Sequence, residues 1–590
     1  MGVELGPHAL RVLRARYLLR DARGAFLEDP EGMFRRVARA VAAAELGFGG
    51  RRDAEAWAER FFDAMASLAF LPNSPTLMNA GTPLGQLSAC FVLPIEDAID
   101  AIFRTLHQTA RIHQTGGGTG FNFSAIRPEG DRVASTGGRA SGPLSFLRVF
   151  DAATEELRQG GKRRGANMGI LDADHPDIEA FVAAKRRPGV LRNFNLSVGA
   201  EDAFLKAVEE GRDWGLRNPR NRLEVRRVGA RELFDRIAEA AWAGGDPGLV
   251  FLSTIHRENP LPGLGPIRAT NPCGEVPLLP YESCNLGSVN LARLVRGRGV
   301  DWGRLRALVH LAVRFLDDVI EVNRYPATPY RTVAERNRKI GLGVMGWAEL
   351  LIRLGIPYDA AEALALADEV AGFIREEALA ASRALAAERG AFPHLPYARD
   401  PTPRRNAALL SIAPTGTISL LAGTTPSIEP LFAVAYTREG VLGGEAMPEV
   451  NPLFIRMMEE RGADWRRVVR QVAERGSLEG VPGVPEEVRR VFRSALEIAP
   501  EAHLRMQAAW QRHVDNAVSK TINLRPEVAP KAVAAIYLEA WHLGLKGITV
   551  FRYGSKGEQV LRLGFHPRGL KKPEPIHTWA EEAAREGREG

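Results

Sequence analysis

The chain has 590 residues, of which 45% are hydrophobic and 25% are charged, and these fractions are typical of a globular protein. A chain of this length can bury a large core, and its three cysteines, Cys90, Cys273 and Cys284, exclude a disulfide-rich scaffold. The net charge of +7 suits phosphate-bearing ligands, but no run of Lys and Arg is long enough to predict a nucleic-acid-binding arm, so we expect no nucleic acid partner.

No segment reaches the roughly 18 uncharged apolar residues of a membrane-spanning helix, and the first residues lack the apolar core of a signal peptide. We therefore expect a cytoplasmic protein without a membrane partner. Thiols stay reduced in that compartment, so cysteine pairing there indicates catalysis rather than a structural disulfide.

The pattern along the chain predicts an α/β protein in three parts. Residues 1–70 place apolar residues at helical spacing, notably over 30–45 and 53–70. From there to residue 560, short apolar runs such as "LSACFVLP" and "RNFNLSVGA" alternate with Gly- and Pro-rich turns and with helical stretches at 98–114 and 231–245. This alternation predicts one large α/β domain over 71–560. Residues 561–590 are Pro-rich and charged, which predicts a loosely held tail.

One glycine motif points to a different function. "GLGVMG" matches the spacing of a dinucleotide-binding loop through Gly341, Gly343 and Gly346. That loop follows a strand, whereas the residues before it, "RTVAERNRK", are polar and charged, so close packing at the start of a helix is the favoured interpretation. A nicotinamide-dependent oxidoreductase remains the alternative function. A zinc site is not predicted, because no C-x-x-C pair is present.

The segment "NPCGEVPLLPYESCN" at 271–285 contains two of the three cysteines. Pro272 favours an extended conformation for Asn271, and an extended 271–275 would project Asn271, Cys273 and Glu275 from one face. The neighbouring carboxylate would raise the pKa of the Cys273 thiol and keep its proton on sulfur. A protonated thiol beside a general base favours homolytic S–H chemistry over thiolate catalysis. Three inert, buried cysteines are the alternative.

The N-x-C-x-E pattern with a further cysteine in "SCNLGSVNL" resembles ribonucleotide reductases, specifically the adenosylcobalamin-dependent class. The resemblance runs from about residue 10 to 560. It rests on motifs in the family order, which are "PNSPTLMNAG", "QLSACFVLP", "GGGTGFNFS", "KRRGANMGIL", "GLGVMG", "APTGTISLLAGTTPSIEP", "VDNAVSKTINL" and "KGITVFRYGSK". It implies a ten-stranded α/β barrel with a finger loop at its centre, and a deoxyribonucleotide-forming oxidoreductase.

The resemblance also implies a role for each cysteine. Cys273 would be the thiyl radical that takes hydrogen from the ribose 3′ carbon. Glu275 would accept the 3′-hydroxyl proton, and Asn271 would bind the substrate hydroxyls. Cys90 and Cys284 would be the reducing pair that ends as a disulfide.

Substrate and effector sites are implied in the same way. "PTGTI" offers the hydroxyls and backbone N–H groups of a phosphate site, although an ordinary helix cap has the same composition. The substrate-binding residues implied by the family are Ser74, Ala89, Gly118, Pro414, Thr415, Gly416, Thr417 and Ile418. A deoxynucleotide effector would contact Asp97 and Arg127, unless these are plain surface residues. Two loops, 162–167 with Lys162, Arg163 and Arg164, and 190–196, would pass the effector's identity to the substrate. A homodimer is implied by the helix that follows "LPIEDAIDAIF".

The radical source implied is adenosylcobalamin. The iron-dependent class relays its radical through adjacent tyrosines, and the corresponding residues here are Val550 and Phe551. No D-x-H-x-x-G sequence is present, so we expect no metal ligand from protein side chains. The tail lacks the family's cysteine pair, so a thioredoxin-type protein, a separate cysteine-bearing reductant or an incomplete chain is implied. The short N-terminus implies no ATP-cone control.

Three functions therefore stand: this reductase, an oxidoreductase using "GLGVMG", and a nucleotide-binding regulator with a dead site. The choice between diphosphate and triphosphate substrates stays open, with the dimer features favouring diphosphates.

Overall fold

The computed structural model describes residues 3–157, 165–187, 189–438, 447–555 and 561–563. Within these ranges the α-helices are α1 (Pro7–Arg16), α2 (Pro30–Ala42), α3 (Arg51–Ala66), α4 (Ser74–Asn79), α5 (Ile99–Gln114), α6 (Gly142–Leu157), α7 (Ile178–Ala183), α8 (Asp202–Glu209), α9 (Ala230–Gly244), α10 (Leu252–Arg257), α11 (Trp302–Val322), α12 (Thr328–Asn337), α13 (Trp347–Leu354), α14 (Ala361–Arg389), α15 (Gly416–Ala422), α16 (Pro452–Glu459), α17 (Trp465–Arg475), α18 (Glu486–Val491), α19 (Pro500–Gln511) and α20 (Pro530–His542). None of the helices in the described ranges has the length and apolar character needed to cross a membrane.

The β-strands in the same ranges are β1 (Phe70–Pro72), β2 (Cys90–Val92), β3 (Gly118–Asn122), β4 (Asn167–Asp172), β5 (Phe194–Ala200), β6 (Asp213–Arg217), β7 (Glu224–Gly229), β8 (Gly248–Phe251), β9 (Ala269–Thr270), β10 (Pro277–Leu278), β11 (Ser283–Asn290), β12 (Val295–Arg296), β13 (Gly299–Val300), β14 (Ile340–Met345), β15 (Ala435–Arg438), β16 (Met447–Val450), β17 (Thr521–Leu524), β18 (Gly547–Arg552) and β19 (Leu561–Leu563). The helical start and the later alternation of strands and helices follow the sequence pattern.

The N-terminal helices form because their apolar residues share one face. Asp29 caps α2, since its Oδ1 accepts a hydrogen bond of 2.7 Å from the Gly32 N–H. The apolar face of α2 buries Met33, Phe34 and Val37. This face packs on α3 and on α11, so the helical region covers one side of the barrel.

The central sheet has ten strands in the order β1-β11-β2-β3-β4-β5-β8-β18-β17, with β14 beside β11. Strands β2, β3, β4, β5 and β8 run parallel. These five strands form one half of the barrel. The other half contains the parallel pairs β11–β14 and β17–β18, and the antiparallel pairs β2–β11 and β8–β18 join the two halves. Parallel bridges from Leu342 to Leu410 and from Ile412 to Val518 connect β14 to the chain entering β17. The sheet therefore closes on itself, and the predicted ten-stranded α/β barrel is confirmed.

A buried ion network ties the helical region to the barrel. The Arg389 guanidinium at the end of α14 lies 2.6 Å from Glu45 and 2.6 Å from Asp318 of α11. The side chains of Arg389 and Asp318 are 0% exposed, and that of Glu45 is 1% exposed. Groups taken this far from water need partners. Burial raises the pKa of Asp318, Arg389 is its ion-pair partner, and Glu45 is shared between Arg389 and Arg314.

Replacing Arg389 with methionine should lower the free energy of unfolding by about 3 kcal/mol, because buried Asp318 loses its ion-pair partner and Glu45 keeps only Arg314. Chemical denaturation followed by circular dichroism measures the change. The control is Arg51→Met, which removes the exposed pair with Glu55 (3.0 Å) and should change stability by less than about 1 kcal/mol. Equal effects of the two substitutions would contradict the conclusion that the buried ion network stabilises the packing of the helical region on the barrel.

Candidate active site

Residues 271–276, here called the finger loop, connect β9 to β10 and lie inside the barrel. One half of the barrel holds the loop through Asn195 of β5, whose Nδ2 donates a hydrogen bond of 2.8 Å to the Pro272 carbonyl. The opposite half holds it through the Glu275 carbonyl, which accepts hydrogen bonds of 2.9 Å from Ser411 Oγ and from the Ala517 N–H. Contacts from opposite walls place the finger loop at the centre of the barrel.

The conformation of the finger loop differs from the extended one that the sequence predicted. The Gly274 N–H donates to the Asn271 carbonyl at 3.1 Å, which closes a turn. Gly274 has φ of 81°, in the region that favours glycine. The prediction of an extended 271–275 is therefore wrong, because the turn and the hydrogen bonds from both walls determine the backbone. Asn271 and Glu275 are buried while Cys273 is exposed at the tip.

Two glycines of β3 make room for the finger loop. A Cβ atom added at Gly118 would lie 2.9 Å from Pro272 Cγ, and one added at Gly120 would lie 1.7 Å from the Thr270 carbonyl oxygen. Neither distance is compatible with a side chain. The glycines of "GGGTGFNFS" therefore allow close approach of two backbones, a use of glycine that needs no nucleotide.

Asn271 links the finger loop to β2. Its Nδ2 donates a hydrogen bond of 3.1 Å to Cys90 Sγ, and its Oδ1 accepts one of 3.0 Å from the Val276 N–H. The side chain therefore spans the base of the loop and fixes the loop beside the first cysteine.

Cys90 and Cys284 face each other across neighbouring strands. In the antiparallel pairing of β2 with β11, Cys284 is the direct partner of Cys90. Directly opposed residues have Cα atoms about 4.5–5.5 Å apart, which is within the range of about 4.4–6.8 Å that a disulfide spans. None of the three cysteines forms a disulfide in this structure. The strand register thus brings together two thiols that lie far apart in the sequence.

Burial keeps both of these thiols protonated. Desolvation raises the pKa of Cys90 well above its ordinary value, and the negative charge of Glu275 raises it further. Desolvation and Glu275 likewise raise the pKa of Cys284. Ser411 links Glu275 to this pair, since its Oγ donates to the Glu275 carbonyl, and a Cβ atom added at Gly341 would lie 3.1 Å from Ser411 Cβ and 3.2 Å from Cys284 Sγ. Neutral thiols beside a carboxylate can donate protons and hydrogen atoms, but they are poor nucleophiles.

The "GLGVMG" motif forms part of the barrel wall. Gly341 and Gly343 lie within strand β14, whereas the sequence had placed the motif at the start of a helix. A Cβ atom at Gly343 would lie 2.4 Å from the Ser411 carbonyl oxygen, and one at Gly341 would lie 3.2 Å from Cys284 Sγ. Gly346 alone fits the expectation, since it caps α13. The glycines clear space for the neighbouring chain segment and for a cysteine, so a dinucleotide-binding loop is excluded.

The segment "PTGTI" at 414–418 follows a residue that packs beside the paired cysteines and runs into the short helix α15. Ala413, just before it, packs in one apolar cluster with Cys90, Cys284 and Ala89. Thr415 has φ of 51°, and its Oγ1 accepts a hydrogen bond of 2.7 Å from the Ser427 N–H. Helix α15 begins at Gly416, where backbone N–H groups lack intrahelical partners.

Ser74, Ala89 and Gly118 come from three separate segments of the chain. Ser74 begins α4, and its Oγ lies 2.7 Å from the Tyr17 hydroxyl. Ala89 and Gly118 are linked through a backbone hydrogen bond of 2.8 Å. The structure therefore places Ala89 next to Cys90 and places Gly118 directly against the finger loop.

Asp97 and Arg127 pair with each other. Arg127 Nε donates to Asp97 Oδ2 at 2.7 Å, and both side chains remain about one-fifth exposed (20% and 21%). Lys162, Arg163 and Arg164 lie outside the described residues. The predicted loop 190–196 is a loop only in its first part, since β5 begins at Phe194 and pairs with β4.

Sequence reasoning missed several residues that shape the site. Asn195 and Ser411 hold the finger loop. Asn195 lies within the predicted loop 190–196 but was given a different role, and Ser411 reads as an isolated polar residue in an apolar segment. Lys339 and Glu282 form a buried ion pair of 2.7 Å beside Cys284. Lys339 ends the charged run "ERNRK", which resembles a solvated surface, so only the packing reveals its burial.

Comparisons with known proteins cover nearly the whole chain. The model of the ribonucleotide reductase all-alpha domain matches residues 3–85, and that of the ribonucleotide reductase barrel domain matches residues 88–401 and 401–551. A vitamin B12-dependent ribonucleoside-diphosphate reductase of Mycobacterium tuberculosis is 56% identical over 564 residues, which are 95% of this chain and 81% of the relative. The protein of that name from Thermoplasma acidophilum is 46% identical over 97% of this chain and 82% of its own length.

A solved structure, the class Id ribonucleotide reductase alpha subunit of Actinobacillus ureae, matches with a TM-score of 0.76 over 93% of this chain and 97% of that chain. Its 24% identity supports the fold. The resemblance found in the motifs is confirmed by the family models and by the two relatives. The chain belongs to the ribonucleotide reductase family.

Proposed function

We propose that the chain reduces ribonucleoside diphosphates to deoxyribonucleotides by thiyl-radical chemistry that adenosylcobalamin initiates. The observation that carries this proposal is the convergence of three cysteines on the finger loop, with Cys90 opposite Cys284 and Asn271 hydrogen-bonded to Cys90. The relatives at 56% and 46% identity are named vitamin B12-dependent ribonucleoside-diphosphate reductases, which supports adenosylcobalamin as the cofactor and diphosphates as the substrates.

The tip of the finger loop fits an external radical source. Cys273 is exposed, and a Cβ atom added at the neighbouring Gly274 would meet nothing within 4 Å, so open space adjoins the thiol. Adenosylcobalamin supplies, when bound, a carbon radical able to remove a hydrogen atom from a thiol. Cys273 is the residue that would face it. The Cys273 radical then takes the hydrogen atom from the ribose 3′ carbon and returns it at the end of the cycle.

Glu275 is proposed as the general base. Its carboxylate is buried and close to both paired thiols, where water does not compete for the proton of the 3′-hydroxyl. Loss of that proton makes the radical carbon expel the 2′-hydroxyl more readily. Asn271, fixed by its two hydrogen bonds, would orient the substrate hydroxyls.

Cys90 and Cys284 are proposed as the reductants of the sugar. One thiol protonates the departing 2′-hydroxyl, which leaves as water. The pair gives up two protons and two electrons in all, and an S–S bond forms between the sulfur atoms. Their high pKa suits this role, since each thiol must keep its proton until the substrate needs it.

The substrate diphosphate is proposed to bind at residues 414–418. The first N–H groups of α15 have no intrahelical acceptor, so they can donate hydrogen bonds to a phosphate. Ala413 packs in the apolar cluster that holds the paired cysteines, so this segment lies beside the reacting groups. Ser74, Ala89 and Gly118 would border the nucleoside.

Control by a deoxynucleotide effector is proposed at Asp97 and Arg127, in a homodimer formed through α5 and α6. Ile99 and Phe103 of α5 are 61% and 49% exposed, and Val149 of α6 is 37% exposed. Apolar side chains exposed on packed helices are typical of a subunit interface. Lys162, Arg163 and Arg164 would complete the effector site.

The reductant that restores the thiols is proposed to be a thioredoxin-type protein or another cysteine-bearing chain in the cytoplasm. All three cysteines of the sequence already belong to the site.

Replacing Cys273 with alanine should abolish deoxynucleotide formation, because no other residue can form the radical that attacks the sugar. The assay combines the protein, a ribonucleoside diphosphate, adenosylcobalamin and dithiothreitol, and it measures the deoxynucleotide by chromatography. Omitting adenosylcobalamin is the control and should also give no product. Full activity of Cys273→Ala, or activity that requires iron and a second subunit instead, would refute the mechanism.

Replacing either Cys90 or Cys284 with serine should still permit radical formation but should prevent repeated turnover with a dithiol, since no disulfide can form. Electron paramagnetic resonance detects the radical, and product per active site measures turnover. Sustained turnover by either variant would disprove the pair assignment.

Alkylation should separate the exposed thiol from the buried pair. Iodoacetamide reacts with thiolates, so burial and the raised pKa should make Cys90 and Cys284 at least about 100-fold slower than Cys273 at pH 8. Their rates should rise as the pH increases above 9. Peptide mass spectrometry at several pH values measures each rate, and comparable rates at pH 8 would contradict the assigned protonation.

A further inference from the structure

The strand register places a lysine beside one of the paired cysteines. Strands β11 and β14 are parallel, and Asn285 is the partner of Ile340. Cys284 and Lys339 immediately precede this first pair, so the same register continued by one residue sets them side by side. Side chains alternate between faces, so Lys339 shares the face of Gly341, where an added Cβ atom would lie 3.2 Å from Cys284 Sγ.

Glu282 fixes the position of this lysine. The Lys339 ammonium donates a hydrogen bond of 2.7 Å to Glu282 Oε2, and the two residues are only 4% and 2% exposed. Glu282 also accepts hydrogen bonds of 2.5 Å from Asn337 Nδ2 and 2.6 Å from the Leu279 N–H. A buried cation, paired with a carboxylate that two further hydrogen bonds fix in place, is therefore built into the wall next to Cys284.

The cation acts on one sulfur of the pair. Burial and Glu275 raise the pKa of Cys284, Lys339 opposes this rise, and Glu282 adds to it. Burial, Glu275, Cys284 and Cys273 raise the pKa of Cys90, and the influence that lowers it is the hydrogen bond from Asn271. The environment of the two thiols is therefore unequal. In thiol–disulfide exchange, the sulfur whose thiolate is better stabilised leaves faster.

We propose that Lys339, held by Glu282, is a positioning residue that makes Cys284 the leaving thiolate and Cys90 the attacked sulfur when an external dithiol reduces the active-site disulfide. The inference rests on the proposed role of Cys90 and Cys284 as a redox pair. It adds which of the two sulfur atoms the reductant attacks and which one leaves, because the pairing of the two cysteines does not define this order.

The exchange balances with the dithiol as the only co-reactant. One thiolate of the dithiol bonds to Cys90 Sγ, the S–S bond breaks, and its electron pair goes to Cys284 Sγ beside the Lys339 ammonium. The second sulfur of the dithiol then attacks its own mixed disulfide and releases Cys90. The dithiol is oxidised by two electrons, and its two protons end on Cys90 and Cys284.

Three variants of the whole 590-residue chain test the role of the cation. Lys339→Met/Glu282→Gln removes the ion pair without leaving a lone buried charge, and Lys339→Arg keeps the positive charge. The control, Lys546→Met/Glu258→Gln, removes another ion pair of 2.7 Å, in which the lysine side chain is 2% exposed and the glutamate side chain is 50% exposed.

The wild type and each variant are first oxidised by one turnover with a ribonucleoside diphosphate and adenosylcobalamin in the absence of reductant. Thiol titration then follows re-reduction by dithiothreitol. The double variant at Lys339 should form the same amount of first-turnover product, but its re-reduction should be about tenfold slower, because the leaving thiolate loses its cation. Lys339→Arg and the control should stay within about threefold of wild type.

Trapping identifies the attacked sulfur without any variant. The oxidised wild type is treated with 2-mercaptoethanol, quenched in acid and digested, and the adduct should lie on the peptide with Cys90. In the double variant the adduct should be shared between Cys90 and Cys284, an effect that a purely structural ion pair would not produce.

An adduct on Cys284 in the wild type would overturn the inference, and so would an unchanged re-reduction rate in the double variant. Absence of deoxynucleotide from the first turnover of the wild type would instead refute the proposed function. The two failures are therefore distinguishable.

Discussion

The close approach of the finger loop to strand β3 is the constraint on which the site depends. Gly118 and Gly120 leave no room for side chains, since added Cβ atoms would collide with Pro272 and the Thr270 carbonyl. This close approach lets the loop lie deep enough for Asn271 to reach Cys90. The wall and the loop are thus one unit, and a change in either would move the reacting groups apart.

The interior of the barrel controls charge as well as position. Water is excluded from the paired thiols, and the nearby Glu275 raises the pKa of both, which keeps their protons in place. Such a site suits chemistry that moves hydrogen atoms and protons, and it disfavours an ordinary thiolate nucleophile. The Lys339–Glu282 pair, buried in the same wall, introduces an asymmetry that would matter only when a sulfur atom carries negative charge.

Local patterns predicted the helices well, because helical periodicity is contained within a few turns of the chain. The stretches at 98–114 and 231–245 correspond to α5 and α9. The same reasoning was wrong for the finger loop and placed Gly341 and Gly343 incorrectly. In both cases the backbone is determined by partners from distant segments, such as Ser411, whose carbonyl lies against Gly343. A polar run before a glycine motif does not reveal that the motif will be the inner face of a buried strand.

By itself the sequence determined the chemical inventory: three cysteines, the N-x-C-x-E spacing, the order of the motifs and, through their resemblance, the family and the barrel. The tertiary structure decided the strand register that sets Cys90 opposite Cys284, a pair that the resemblance had implied, and it alone decided that Cys273 is exposed at the tip of a turn and that Lys339 is buried beside one sulfur. The physical reason is that neighbours across strands are determined by register and by closure of the barrel. Those relations join segments far apart in the chain, and no local pattern of residues encodes them.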